Sequence, residues 1–272
     1  MAYPSPPSEV LAAPHPCDVP LPPDDLIFDD GEPLESNRHR IAMNVLIETI
    51  HQAWRDRTNY FVGGNMFIYY SRTQARNRDF RGPDFFVVLD VDGSEPRQGW
   101  VVWEEEGRYP DVIIELMSPS TAAVDLGEKK HLYAHTFHTR NYFVYDPFDP
   151  QSLQGWQLTT QGDYEPLTPN DQGWLWSSCL QLWLGNWQGE LYRETAIWLR
   201  FYDSEGNLMP LSAEAEREQL LLERERSAAE RERAEAAQAQ AEAERERAEV
   251  ERERAERLAA HLRSLGIDPD QL

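Results

Sequence analysis

Apolar positions set the elements. From Arg38 to about Arg57, Met43, Leu46, Ile47, Ile50 and Trp54 recur at i, i+3, i+4, i+7 and i+11. That stripe predicts an amphipathic helix, with Glu48 and His51 off the apolar face. Tyr60 to Tyr70 reads as a strand preceded by or bent at Gly63-Gly64. The run FFVVLDV after Pro83-Asp84 reads as a buried strand. In DVIIELM, Asp111, Ile113, Glu115 and Met117 alternate with Val112, Ile114 and Leu116. A period of two puts Asp111 and Glu115 on one face of a mostly apolar, central strand. A loop with capping residues, Ser118 to Thr121, precedes a helix from about Val124 to Phe137. Tyr142 to Tyr145 then gives another strand, stopped by Asp146-Pro147.

Beyond Pro147 the chain alternates aromatic and apolar strands with turn signals at Gly162-Asp163, Asn170-Asp171 and Ser204 to Asn207. The stretch from Asp92 to Pro110, punctuated by Gly93, Pro96, Gly99 and Gly107, reads as an insertion shaped as a hairpin or lid. Its Glu104 to Glu106 are expected in solvent. Residues 211 to 265 change character. ERERAE recurs at 230, 244 and 251, and two alanine-rich heptad phases run two residues apart, so no clean coiled-coil seam forms. Glu/Arg pairs at i,i+3 and alanine propensity support one long helix, either a coiled coil or a single charged helix. Four regions follow: a Pro- and acid-rich segment 1–37, expected to be disordered; an α/β domain 38–207; a helical tail 208–266; and a flexible end 267–272.

The formal net charge is -22 over 272 residues, which argues against a generally basic DNA-binding surface but leaves room for a local one. Two cysteines, Cys17 and Cys179, form neither metal spacing nor a disulfide framework, which fits a reducing cytoplasm. No apolar run is long enough to span a membrane.

Candidate chemistry gathers on the central strand. An acid in such a strand is expensive to bury without a partner, so Glu115 asks for a cation. Asp125, Lys129 and Tyr133, at i, i+4 and i+8, form one helical stripe that brings Lys129 to Glu115 if it faces the sheet. Asp84 adds a second acid on a neighbouring strand. A carboxylate pair with a lysine nearby suits metal-dependent phosphodiester hydrolysis, while the same residue types also serve as structural ion pairs. Arg72, Arg76, Arg78 and Arg81 precede Pro83-Asp84 and suit either nucleic-acid phosphates or a solvated loop. His131, His135 and His138 read as a solvated face rather than a zinc site, and the tryptophans after Pro147 as packing.

The runs RGPDFFVVL, PDVIIELMSPST, DLGEKKHLYA and NYFVYDP, in this order, resemble a large bacterial restriction-endonuclease family of the PD-(D/E)XK nuclease superfamily. The resemblance covers about residues 40 to 205. It implies a restriction-endonuclease-like mixed sheet flanked by helices, followed by the β-rich extension and the long C-terminal charged helix. Asp84 matches the motif aspartate and Glu115 the motif acid. Met117 stands where the superfamily's lysine usually does, and Lys129 matches the position to which this family's lysine has moved. The implied activity is an endonuclease on DNA using Mg2+, with Mn2+ as a substitute. Asp84 and Glu115 would hold the ion with help from the Leu116 carbonyl, and Lys129 would position water. Glu48 and Asp111 are auxiliary candidates, Asp111 equally as a structural acid. The alternative is an inactive nuclease-fold protein that assembles through its tail, and self-association through core or tail suits either reading.

Overall fold

The computed structural model describes residues 26–28, 36–77 and 81–264. The expected disordered front, apart from these few residues, and the flexible end 267–272 lie outside the described residues. The chain divides into two compact units between Leu211 and Ser212.

The first unit is built on a six-stranded mixed sheet. Its strands are β1 (Tyr60–Gly63), β3 (Phe85–Leu89), β5 (Val112–Leu116), β6 (Asn141–Asp146), β7 (Asp149–Leu158) and β8 (Tyr164–Pro166), in that spatial order. Only β5 and β6 pair in parallel, with Ile113 opposite Tyr142 and Glu115 opposite Val144; the other neighbours are antiparallel. The crossover between β5 and β6 is helical: α3 (Ala122–Val124), a π turn (Asp125–Lys129) and α4 (Lys130–His135).

The alternation expected for β5 decides the layers. Val112, Ile114 and Leu116 share one apolar cluster with Phe85, Val87, Phe143 and Tyr145. That cluster is closed by Ile41, Val45, Leu46 and Ile50 of α1 (Asn37–Ala53) and by β10 (Leu182–Leu191) and β11 (Glu194–Tyr202). The two strands form a second sheet with β9 (Leu175–Ser177). On the other face, Ile113 and Met117 pack with Phe86, Val88, Tyr142 and Val144 beneath Tyr133 and Phe137. The mixed sheet, its flanking helices and the β-rich extension are therefore as the sequence leads one to expect. Helix α1 starts where Ser36 caps it, its Oγ accepting the His39 amide at 3.3 Å.

Two stretches depart from the sequence reading. Tyr60 to Tyr70 is not one strand: β1 stops at Gly63, and β2 (Ile68–Tyr69) leaves the main sheet. Gly64 is needed at the break, because a Cβ there would stand 2.9 Å from the Asp84 carbonyl and 2.6 Å from Ile47. The insertion 92–110 is not a lid. Its β4 (Trp100–Val101) pairs in parallel with β2, and Trp100 is wholly buried between Phe61 and Phe86. Glu105 is half-buried rather than solvated, because the Arg97 guanidinium takes both its oxygens while lying over the Trp100 ring. Helix α2 (Arg72–Asn77) follows β2.

The second unit is described from Ser212 to Ser264 as one helix, α5, of 53 residues. Ion pairs along it run at i,i+4, as in Arg226–Glu230 and Glu253–Arg257. Among the described residues no helix is long and apolar enough to cross a membrane.

Replacing Trp100 with Ala separates a core segment from a lid. The expected loss of unfolding free energy is roughly 3–5 kcal/mol in urea titration. A loss below about 0.5 kcal/mol is what a detachable surface lid would give.

Candidate active site

The antiparallel register of β3 and β5 pairs Phe85 with Ile114, which sets Asp84 opposite Glu115 at one end of the sheet. Asp84 Oδ2 accepts the Leu116 amide at 2.8 Å, and the Asp84 amide points at Glu115 Oε2 from 3.4 Å. Each acid is thus tied to the other's strand. Glu115 is fully buried. Asp84 is half-buried as a residue, but its carboxyl group lies deep. Burial, and then the neighbouring Glu115 carboxylate, push the Asp84 carboxyl well above the usual aspartate range.

The helical crossover supplies the cation. Lys129 Nζ stands 3.2 Å from Glu115 Oε1 and 2.8 Å from Asp125 Oδ1. Burial works against the charged amine, but Glu115, Asp125 and Asp84 outweigh it, so Lys129 is held charged more firmly than an ordinary lysine. Tyr133 is buried and donates its hydroxyl to Glu115 Oε1 at 2.7 Å. Met117, at the usual lysine position of the motif, is buried in the apolar cluster with Tyr133 and Phe137. The helical stripe Asp125, Lys129, Tyr133 therefore delivers what the strand itself does not.

The electrostatic balance is uneven. With Asp84, Glu115 and Asp125 ionised, Lys129 offsets one of three negative charges, and an uncompensated pair of charges at this depth is costly. A divalent cation between Asp84 and Glu115 would close the balance, and the upward push on the Asp84 carboxyl reflects the balance left open. The donors are oxygens only, which suits a hard ion that keeps several waters. Among the described residues no three His, Cys, Asp or Glu stand together as a metal-holding group. Glu48 is half-buried on α1.

Asp111 is occupied at the other end of β5. Its Oδ2 accepts the Leu89 amide at 2.7 Å, and its Oδ1 accepts Arg140 at 2.6 Å. Four residues of strand separate it from Glu115, about 13 Å. Arg81 reaches Glu128 of the π turn at 2.7 Å, which ties the approach to β3 to the helix that carries Lys129. Arg72 is half-buried and Arg76 exposed on α2, and Arg78 lies outside the described residues. His131 and His135 are exposed and stacked, with His135 against Asp163; His138 is exposed beyond the helix. Two contributors escape sequence reasoning. His39 is buried, with Nε2 3.2 Å from the Met117 carbonyl; it stands one turn before Met43 on the apolar stripe, but nothing in the pattern marks its partner. Tyr142 donates its hydroxyl to the Asp125 backbone carbonyl at 2.8 Å, a contact hidden behind an ordinary strand residue.

A family model described as "Uma2: Putative restriction endonuclease" matches residues 21–188. No protein of curated function matches the chain. Among solved structures, a "putative nuclease belonging to DUF820 from Anabaena variabilis ATCC 29413" is similar at 14% identity, over 59% of this chain and 86% of that one, with a TM-score of 0.39.

The raised Asp84 carboxyl gives a signed pH prediction. The folded chain holds this proton more tightly than the unfolded chain. The resulting stability is present below the ordinary aspartate range and is lost as pH rises through the raised value. In EDTA, the wild type should lose Tm relative to Asp84→Asn as pH climbs through that window. Parallel Tm curves for the two proteins would contradict it.

Proposed function

Since the chain belongs to the Uma2 family of restriction-endonuclease relatives, we propose that it hydrolyses phosphodiester bonds in DNA, with Mg2+ held by Asp84 and Glu115 and Mn2+ as a substitute. The observation that carries this is the meeting of Asp84, Glu115 and Lys129 at one sheet end, with the lysine arriving from the helix rather than the strand. When bound, the ion supplies Lewis acidity toward a phosphate oxygen and a more acidic water. The chain's own residues do the rest. Asp84 and Glu115 offer carboxylate oxygens, and the Leu116 carbonyl lies on the same strand end. Tyr133 fixes the Glu115 carboxylate by donating to Oε1. The Lys129 ammonium, kept charged by its neighbours, donates to the attacking water or to a phosphate oxygen and offsets the negative charge that builds there. Arg72 and Arg76 of α2, with Arg78 and Arg81 after it, are the cations nearest in sequence to Asp84 for neighbouring phosphates.

A second reading is an inactive nuclease-fold protein that assembles through its tail, as a homo-oligomer or with another partner. The exposed Leu220, Leu221, Leu222, Val250 and Leu258 on α5 favour it.

Two measurements separate these readings. Supercoiled and single-stranded DNA should be cut with Mg2+ or Mn2+. Glu115→Ala and Lys129→Ala, still folded, should each lose on the order of 10²-fold or more. No cutting by folded, metal-loaded wild type across varied substrates would turn the choice to the assembly protein. Separately, Mg2+ at about 100 times its Kd should stabilise the wild type by about 2.7 kcal/mol in denaturant titration. That gain should vanish in Glu115→Gln; a gain kept in full there would place the ion elsewhere.

A further inference from the structure

The crossover helix is built unevenly, and the unevenness bears on the lysine. In a regular α-helix four residues turn about 400°, so residues at i, i+4 and i+8 drift by roughly 40° per step. A continuous α-helix would therefore leave Asp125 about 80° away from Tyr133 around the axis. The segment Asp125–Lys129 is instead a π turn. With i→i+5 bonding and about 4.4 residues per turn, four residues fall short of a full circle by roughly 33°. One π step followed by one α step cancels to within about 10°. Asp125, Lys129 and Tyr133 then share one line, which is why Lys129 meets Asp125 and Glu115 while Tyr133 meets Glu115 as well.

A π turn is costly in an isolated helix and persists where its surroundings hold it. Here the holder is on β6. Tyr142 stands opposite Ile113 in the parallel register, on the same face as Glu115, and is wholly buried. Its ring is stacked with Trp156 and Tyr164 and lies edge-on to Tyr133, so it has little room to swing. Its hydroxyl donates to the backbone carbonyl of Asp125, the first residue of the π turn. Arg81 grips the same turn from outside through Glu128.

We propose that Tyr142 and Asp125 act in series as positioning residues for Lys129: the Tyr142 hydroxyl holds the Asp125 backbone, and the Asp125 carboxylate holds the lysine ammonium on Glu115. This inference rests on the nuclease reading for its kinetic consequence, but its geometric consequence stands apart from activity. A lysine carried by a helix lacks the rigid placement that a central strand gives. The π turn and its tyrosine peg restore that rigidity.

The test uses full-length Tyr142→Phe, which keeps the stacked ring and removes one oxygen, and Asp125→Asn, which keeps the shape and removes the charge. Amide hydrogen exchange without metal should speed about tenfold across 122–130 in Tyr142→Phe, with β5 and β6 still protected as in wild type. In both variants kcat on cleaved DNA should fall about ten- to a hundredfold, with KM within about twofold. Wild-type exchange together with wild-type kcat in Tyr142→Phe would overturn the proposal. So would loss of protection spread through β5 and β6, which is the signature of a general core strut. If the wild type cuts no DNA, the nuclease reading fails by that result alone. The exchange arm then decides the positioning device by itself: local loosening supports it, unchanged protection overturns it.

Discussion

Burying a carboxylate in the middle of a sheet is the constraint from which the rest of this site follows. Glu115 has no solvent exposure, and an isolated charge there would not survive folding. Its oxygens are met by the Tyr133 hydroxyl, the Lys129 ammonium and the Asp84 amide. Two of these come from one helix, so that helix must lie over β5, and the parallel β5–β6 pair that it connects must stand at the centre of the sheet. Loss of one partner from a buried ion pair typically costs about 3–5 kcal/mol. Glu115 therefore couples fold and site: the contacts that make it tolerable are those that aim the lysine.

The strongly acidic chain does not by itself decide against a nucleic-acid substrate. Charges beyond about 8 Å are largely screened at physiological salt. What a phosphate meets inside that range is local, and at the acid pair it starts with Lys129. In the proposed reaction a divalent ion is what makes the acid pair attractive, because the site otherwise carries more negative charge than Lys129 offsets. An acidic site dependent on a cation and an acidic chain are consistent with each other. On that proposal substrate affinity rests on the ion and a few cations rather than on a broad basic face.

Much of this was legible in the sequence, and the illegible parts share a cause. The two-residue period of β5 placed Glu115 on the helix-facing side, and the spacing of Asp125, Lys129 and Tyr133 brought the lysine to it. Both are local periodicities. Strand β4 was read as part of a hairpin or lid because two residues carry no period, and its burial depends on pairing with β2, about thirty residues away. The break at Gly63-Gly64 was visible as a bend, but not its reason, the passage of Gly64 against the Asp84 backbone. His39 and Tyr142 gave no local sign of their partners, since each acts on a backbone carbonyl of a different element. Asp111 shares the face of Glu115 in the alternation, yet four residues of strand and two arginines give it another task.

The i, i+4, i+8 stripe also pointed correctly for an incomplete reason. A plain α-helix with the same residues would spread them over nearly a quarter turn, too wide for all three to converge on a single buried carboxylate. The convergence requires a helix that is not regular, and the irregularity requires a hydroxyl from the next strand. Tyr142 can supply it only because β6 lies beside β5 in parallel register, which in turn needs the helical crossover. The helix builds the sheet neighbour that reshapes the helix. The lysine's place on the helix is thus held by a closed set of contacts, in which Met117 fills its strand position with apolar packing and the π turn brings the charge to Glu115.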